Sequence, residues 1–154
     1  MQVKDCMKSN VYTIMPSTSI REAASIFSQK HIGSLPVVDE QGKLVGLLQL
    51  HDLLELVLPD FIKLIDDFNF VPNFGAVETR RPSAEILALP VSKLMQKPVS
   101  IDAESGLLRA FSLLHKHQLH DLPVVDAQGK LVGIVSRVDV GAAFLSGWNV
   151  TQGG

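Results

Sequence analysis

The chain has 154 residues, 46% of them hydrophobic, a formal net charge of −2 and one cysteine. That length and apolar content suit one folded domain, or two small halves sharing a core, and argue against disorder. The near-balanced charge argues against general nucleic-acid affinity, and a lone Cys6 excludes an internal disulfide and any cysteine-cluster metal site.

The first thirteen residues lack the apolar stretch of a signal peptide, and no later run reaches the length of a membrane span. A cytoplasmic protein without a membrane partner is expected. Val3–Met7 reads as an approach segment and Asn10–Ile14 as a brief strand stopped by Pro16. Ser19 and Glu22 fit a capping box, in which hydroxyl and carboxylate satisfy the first free N–H groups of a helix. Ile20, Ala23, Ala24 and Phe27 follow at helical spacing, with Gly33 expected to end the helix. Leu35–Gly46, LPVVDEQGKLVG, then reads as strand, turn, strand: a β-branched pair, a polar turn holding Gly42, and a nearly all-apolar second run. Leu50–Leu58 is a second helix closed by Pro59.

Residues 59–90 have no counterpart elsewhere and hold four of the seven phenylalanines, Phe61, Phe68, Phe70 and Phe74. A helix from Asp60 to Asp67, a turn at Pro72-Asn73 and a helix near Ser83–Leu89 are expected. The segment reads either as a linker folded onto the core or as an apolar face for a partner.

From Val91 the first pattern returns. Leu122–Gly133, LPVVDAQGKLVG, matches Leu35–Gly46 at eleven of twelve positions, 87 residues on. Such self-similarity means one supersecondary unit built twice. Met95 answers Met7, Val99–Ile101 repeats the short strand, Leu107, Leu108, Phe111 and Leu114 repeat the helical stripe, and Val138–Leu145 is the last helix. The predicted organisation is repeat 1 over 1–58, a helical insert over 59–90, repeat 2 over 91–147 and a tail over 148–154. The fold class is mixed α/β (α+β), two β-α-β-β-α units packed as a pseudo-twofold pair.

The element order and the doubled LPVVD–G–LVG signature resemble the CBS domain, and the pair resembles a tandem CBS, or Bateman, module. The resemblance implies two related clefts between the repeats that take adenosine-containing ligands such as AMP, ADP or ATP, and in some members NAD-type or S-adenosyl compounds. It also implies a homodimer and a regulatory output delivered to an effector protein, with no required cofactor and no catalysis.

Carried onto this chain, the family's hydroxyl-x-x-Asp pattern falls on Ser136 and Asp139. A carboxylate can accept from both hydroxyls of a ribose diol, while Ser136 and Arg137 stand where a helix start and a guanidinium suit a phosphate. The same four residues also read as an ordinary helix cap, and both readings can hold. His120 takes the place of a phosphate-reaching histidine, though Asp121 beside it disfavours a polyphosphate. Ser100 and Ile101 match the strand whose backbone reads an adenine edge, and Leu122 and Pro123 an apolar wall. The weaker first cleft has Thr13, Ile14, Leu35, Pro36, Gln49 and Asp52, with Gln49 in place of the hydroxyl and Leu50 in place of the arginine. By periodicity alone the apolar members of both sets are core residues. His115 and His117, two apart, do not share a helix face and make a poor metal pair. Ser136, His120 and Asp139 lack any nucleophile elbow, and Cys6 has no activating base. The rival to ligand sensing is a ligand-free assembly module that dimerises and presents the 59–90 face.

Overall fold

In the computed structural model, residues 1–58 and 73–148 are described, the side chain of Val77 excepted. Repeat 1 supplies α1 (Ile20–Lys30), β1 (Ser34–Val38), β2 (Leu44–Gln49) and α2 (Leu50–Leu54). A short helix α3 (Ala84–Leu87) follows. Repeat 2 supplies β3 (Ile101–Asp102), α4 (Leu107–Lys116), β4 (Asp121–Val125), β5 (Leu131–Ser136) and α5 (Arg137–Ser146). β1 pairs antiparallel with β2, and β4 with β5, in the same register with the same irregularity one residue before the strand ends. β3 adds parallel to β4 through Ile101 and Val124. In repeat 1 the expected strand over Asn10–Ile14 contracts to a single parallel bridge from Ile14 to Val37.

Local chemistry explains the element ends. Ser19 caps α1 by accepting from Glu22 N. The helix stops at Lys30 rather than at Gly33, because His31 takes the left-handed conformation (φ 52°) and its N–H returns to the Phe27 carbonyl; histidine tolerates that region better than most side chains. Gly42 and Gly129 both sit at φ 81° in the hairpin turns, where a side chain would be strained. The helix expected over Leu50–Leu58 regularises only to Leu54, and α3 lies inside the expected Ser83–Leu89 span with Ser83 as its cap. The expected Asp60–Asp67 helix and Pro72 lie outside the described residues.

The two units are joined by exchange. The backbone of Val3 and Lys4 donates to the carbonyls of Ser105 and Ala103 in repeat 2, and Val91 N donates to Thr18 O in repeat 1. Val3 is accordingly fully buried in the core of the second repeat, with Leu122, Val124, Val135 and Leu114. Val91 is fully buried in the first, with Ile20, Phe27, Leu35 and Val37. Burying a valine in this way is worth roughly 1.5–3 kcal/mol, so each approach segment clamps the opposite repeat. At the pseudo-twofold axis the hairpin tips pair, Leu44 N to Gly129 O and Leu131 N to Gly42 O. On the other side of that axis, Ser34 donates to Asp121 at 2.9 Å, from positions that are themselves repeat equivalents.

Candidate functional site

β2 runs into α2 and β5 into α5 without a break, so each strand delivers its last residue as a helix N-cap. In repeat 2 the Asp139 N–H donates to Ser136 Oγ at 3.0 Å, and the Ser136 N–H to Asp139 Oδ2 at 2.9 Å. This reciprocal pair is a capping box. In repeat 1 the Gln49 N–H donates to Asp52 Oδ2 at 2.8 Å. Both acids therefore cap their helices through one oxygen and keep the other: Asp52 Oδ1 lies 3.3 Å from His51 Nε2, and Asp139 Oδ1 lies 3.9 Å from Lys8 Nζ.

Two clefts lie between the repeats, and the first includes the helix start at Gln49 and Asp52. The first, about 470 Å³, has Gln49, Asp52 and Glu55 from repeat 1, Gln96, Lys97 and Val99 from the second approach segment, and His117–Leu119 from the loop after α4. The second, about 330 Å³, has Lys8, Asn10 and Tyr12 from the first approach segment, His31–Ser34 from the loop after α1, and Asp121 and Ile134. Lys8, on its wall, is the residue that reaches Asp139. Nearby, the Cys6 thiol is pushed up by burial, then by the charges of Asp139 and Asp5, which disfavours its thiolate.

The pairing of walls is crossed. Lys8 bridges to Ile134 and Gln96 to Leu47, so each approach segment runs along the last strand of the opposite repeat. Asp52 thus faces the approach segment and the helix–strand loop of the other repeat, and Asp139 meets Lys8 of the opposite approach segment. The family resemblance sets Ser100 and Ile101 with Asp139, and Thr13 and Ile14 with Asp52. The structure instead brings Val99, beside Ser100, to the Asp52 cleft. Thr13 opens onto a separate depression of about 230 Å³ with Ser9, Val38 and Gly42.

The profile of the CBS domain matches residues 3–59 and 91–145. The chain belongs to the CBS domain family. CBSX2, a chloroplastic CBS domain-containing protein of Arabidopsis thaliana, is 32% identical over 146 residues, which cover 90% of this chain and 60% of CBSX2. The chain thus spans about three fifths of that relative. YhcV of Bacillus subtilis is 34% identical, covering 94% of this chain and 86% of YhcV. A crystal structure of CBSX2 in complex with AMP superposes with TM-score 0.73 at 31% identity, covering 96% of this chain and 98% of that one. The CBS domain pair of MJ0100, at 23% identity and TM-score 0.70, shares the fold.

Within this CBS pair the remaining sequence-predicted residues fall as follows. Ile14, Leu35, Ile101 and Leu122 are core side chains, so only their backbones can face a cleft. Pro36 and Pro123 are buried within β1 and β4, and Ser100 is half-buried. His120 is exposed, and its carbonyl accepts from Arg137 N. Arg137, expected to meet a phosphate, instead donates through Nε to Leu119 O at 2.6 Å and through Nη2 to Leu114 O at 3.2 Å. The Leu114 carbonyl also accepts from Leu119 N at 2.9 Å, so the guanidinium joins a cluster of carbonyls just past the last turn of α4. Gln49 is buried, yet the cleft beside it is the larger of the two. Sequence reading missed Lys8, Tyr12, Gln96, Lys97 and His117; the Met7–Met95 correspondence, which sets Lys8 against Gln96, was the signal for the first and third. Among the described residues no group of three His, Cys, Asp or Glu is placed to hold a metal, and no helix is long and apolar enough to cross a membrane.

Proposed function

We propose that this CBS pair is a regulatory module that binds an adenosine-containing ligand, such as AMP, ADP, ATP or an S-adenosyl compound, and passes the bound state to an effector protein. The observation that carries this reading is the pair of clefts between the repeats, one lined by the helix-capping Asp52 and the other walled by Lys8, which reaches the helix-capping Asp139. Both volumes lie within the roughly 300–1,000 Å³ of small-molecule sites, and the AMP complex of CBSX2, a relative of the same fold, supports the ligand class. Asp52 and Asp139 would take the ribose diol, with Gln49 and Ser136 beside them. Backbone near Ser100–Ile101 and Thr13–Ile14 would read the adenine edge, and Lys97 with His117, or Lys8 with His31, would meet an anionic group. His120 stays at the rim.

The output rests on differential affinity: a ligand shifts an equilibrium between two arrangements only by binding one of them better. Here the two walls of each cleft come from different repeats, so occupancy favours arrangements with the repeats drawn together. A homodimer is part of the same reading, because Leu108, Phe111, Val138 and Leu145 leave α4 and α5 with exposed apolar side chains.

Titration calorimetry with AMP, ADP, ATP, NAD and S-adenosylmethionine tests it on the parent chain, Asp52→Asn and Asp139→Asn. Binding that weakens at least tenfold in one variant assigns its cleft; equal heats in all three proteins remove both acids from the site. Absence of binding, together with no thermal shift where a ligand at a hundred times its Kd adds about 2.7 kcal/mol, favours the assembly module.

A further inference from the structure

Arg137 ties the Ser136–Asp139 cap to the loop after α4. It follows Ser136, the cap that holds Asp139, so its position is that of the α5 N-terminus. Its side chain and backbone grip three carbonyls of its own repeat: that of Leu114 near the end of α4, that of Leu119, and that of His120, which accepts from Arg137 N at 3.0 Å. The segment between, His117–Leu119, lines the Asp52 cleft. That segment is also held by backbone bonds from His117 N to Leu113 O, Gln118 N to His115 O and Leu119 N to Leu114 O, and by the burial of Leu119. His117 and Gln118 are exposed, and Gln118 sits at φ 53°. In repeat 1 the equivalent residue is Leu50, which offers only the backbone bond from Leu50 N to Gly33 O.

We propose that Arg137 is a positioning residue that couples the clefts, transmitting a displacement at the Ser136–Asp139 cap to the 117–119 wall beside Asp52. This rests on the ligand-binding reading for its use, but not for its existence as a mechanical link. Nothing about Arg137 requires it to touch a ligand. A guanidinium suits the task because its planar fork holds two carbonyls at once, whereas a lysine ammonium is a single mobile donor point. By linkage, the factor by which occupancy of one cleft changes affinity in the other is the same in both directions.

Hydrogen exchange of the full chain without ligand tests the link, in the parent, Arg137→Met, Arg137→Lys, Asp139→Asn and the Arg137→Met/Asp139→Asn double variant. Releasing hydrogen bonds from a charged donor is expected to speed exchange of the 117–120 amides about tenfold in Arg137→Met, with Arg137→Lys between. Asp139→Asn speeds the same amides while Arg137 is present and adds nothing once it is methionine. A purely local role would leave the two effects additive, and that result, or unchanged 117–120 exchange in Arg137→Met, overturns the proposal. AMP calorimetry then separates the two readings. Coupling in exchange without any AMP binding leaves the link and removes the sensor, whereas AMP affinities at the Asp52 cleft that ignore Arg137→Met leave the sensor and overturn the coupling of the clefts through Arg137.

Discussion

The glycines that precede the final residues of β2 and β5 offer a sharp contrast between equivalent positions. A Cβ built on Gly46 meets Met95 Sδ at 2.5 Å and Met95 Cγ at 3.1 Å, both atoms of one flexible side chain. A Cβ on Gly133 meets Met7 Sδ at 2.7 Å and also the Lys8 carbonyl at 2.9 Å. That carbonyl accepts from Ile134 N at 2.9 Å while Lys8 N donates to Ile134 O at 2.8 Å, so it cannot move without straining the bridge that holds the approach segment. Overpacking costs about 1–3 kcal/mol, and glycine removal returns about 0.4–1 kcal/mol through the unfolded chain where the backbone tolerates it. Gly46→Ala, where methionine can repack, should therefore fall within about 1 kcal/mol of the parent. Gly133→Ala should lose about 2–3 kcal/mol, or roughly 5–10 °C in Tm for a domain of this size. Urea denaturation followed by circular dichroism reads both. Met95→Ala should relieve whatever cost Gly46→Ala carries, while Met7→Ala should recover only part of the Gly133→Ala loss. Equal losses at the two glycines, or full rescue of Gly133→Ala by Met7→Ala, would refute the assignment of the clash to backbone.

Further expectations follow from single contacts. Ser34→Ala removes the hydroxyl that donates to Asp121 across the pseudo-twofold axis, and should cost about 1.5–3 kcal/mol in the same urea assay. The Asp102 carboxyl is held below its usual range, first by the Ser105 hydroxyl and then by Arg109. A depressed folded value means the unfolded chain binds the proton more readily, so this stabilisation is present above the ordinary aspartate range and disappears as pH falls through the folded value. Asp102→Asn should thus flatten the decline of the urea midpoint below about pH 4, and an unchanged acid limb would show that the contact contributes nothing. Cys6, pushed up by burial and by Asp139, should react slowly with a disulfide reagent near neutral pH, and Asp139→Asn should shift its rate profile to lower pH.

Much of the architecture was legible in the chain. The eleven-in-twelve repeat announced two equal units, the alternation around Gly42 and Gly129 announced their hairpins, and Ser19, Ser83 and Ser136 marked helix starts that the structure bears out as caps. Element ends were less legible where tertiary contact overrode local preference. His31 rather than Gly33 closes α1 because the chain must turn immediately into buried β1. The Asn10–Ile14 strand shrinks to one bridge because Lys8 is drawn away to Ile134. Asp52 and Asp139 stood out as candidate acids through the family pattern, and a cap at Ser136–Asp139 was legible beside it, but the partners of their second oxygens, His51 and Lys8, were not.

By itself the sequence determined the duplicated unit, its strand and helix order, its turns and the carboxylate at the start of each final helix, since these depend on residues within a few positions of one another. Only the tertiary structure decided which segments share a cleft. Approach segments that share the Val3/Val91 and Met7/Met95 positions could have packed on their own repeat or on the opposite one. The choice rests on long-range burial of Val3 and Val91 and on the bridges at Lys8 and Gln96. Arg137 shows the same division: its charge is written in the chain, but the carbonyls it holds are placed within reach only when α4, β4 and α5 have packed together.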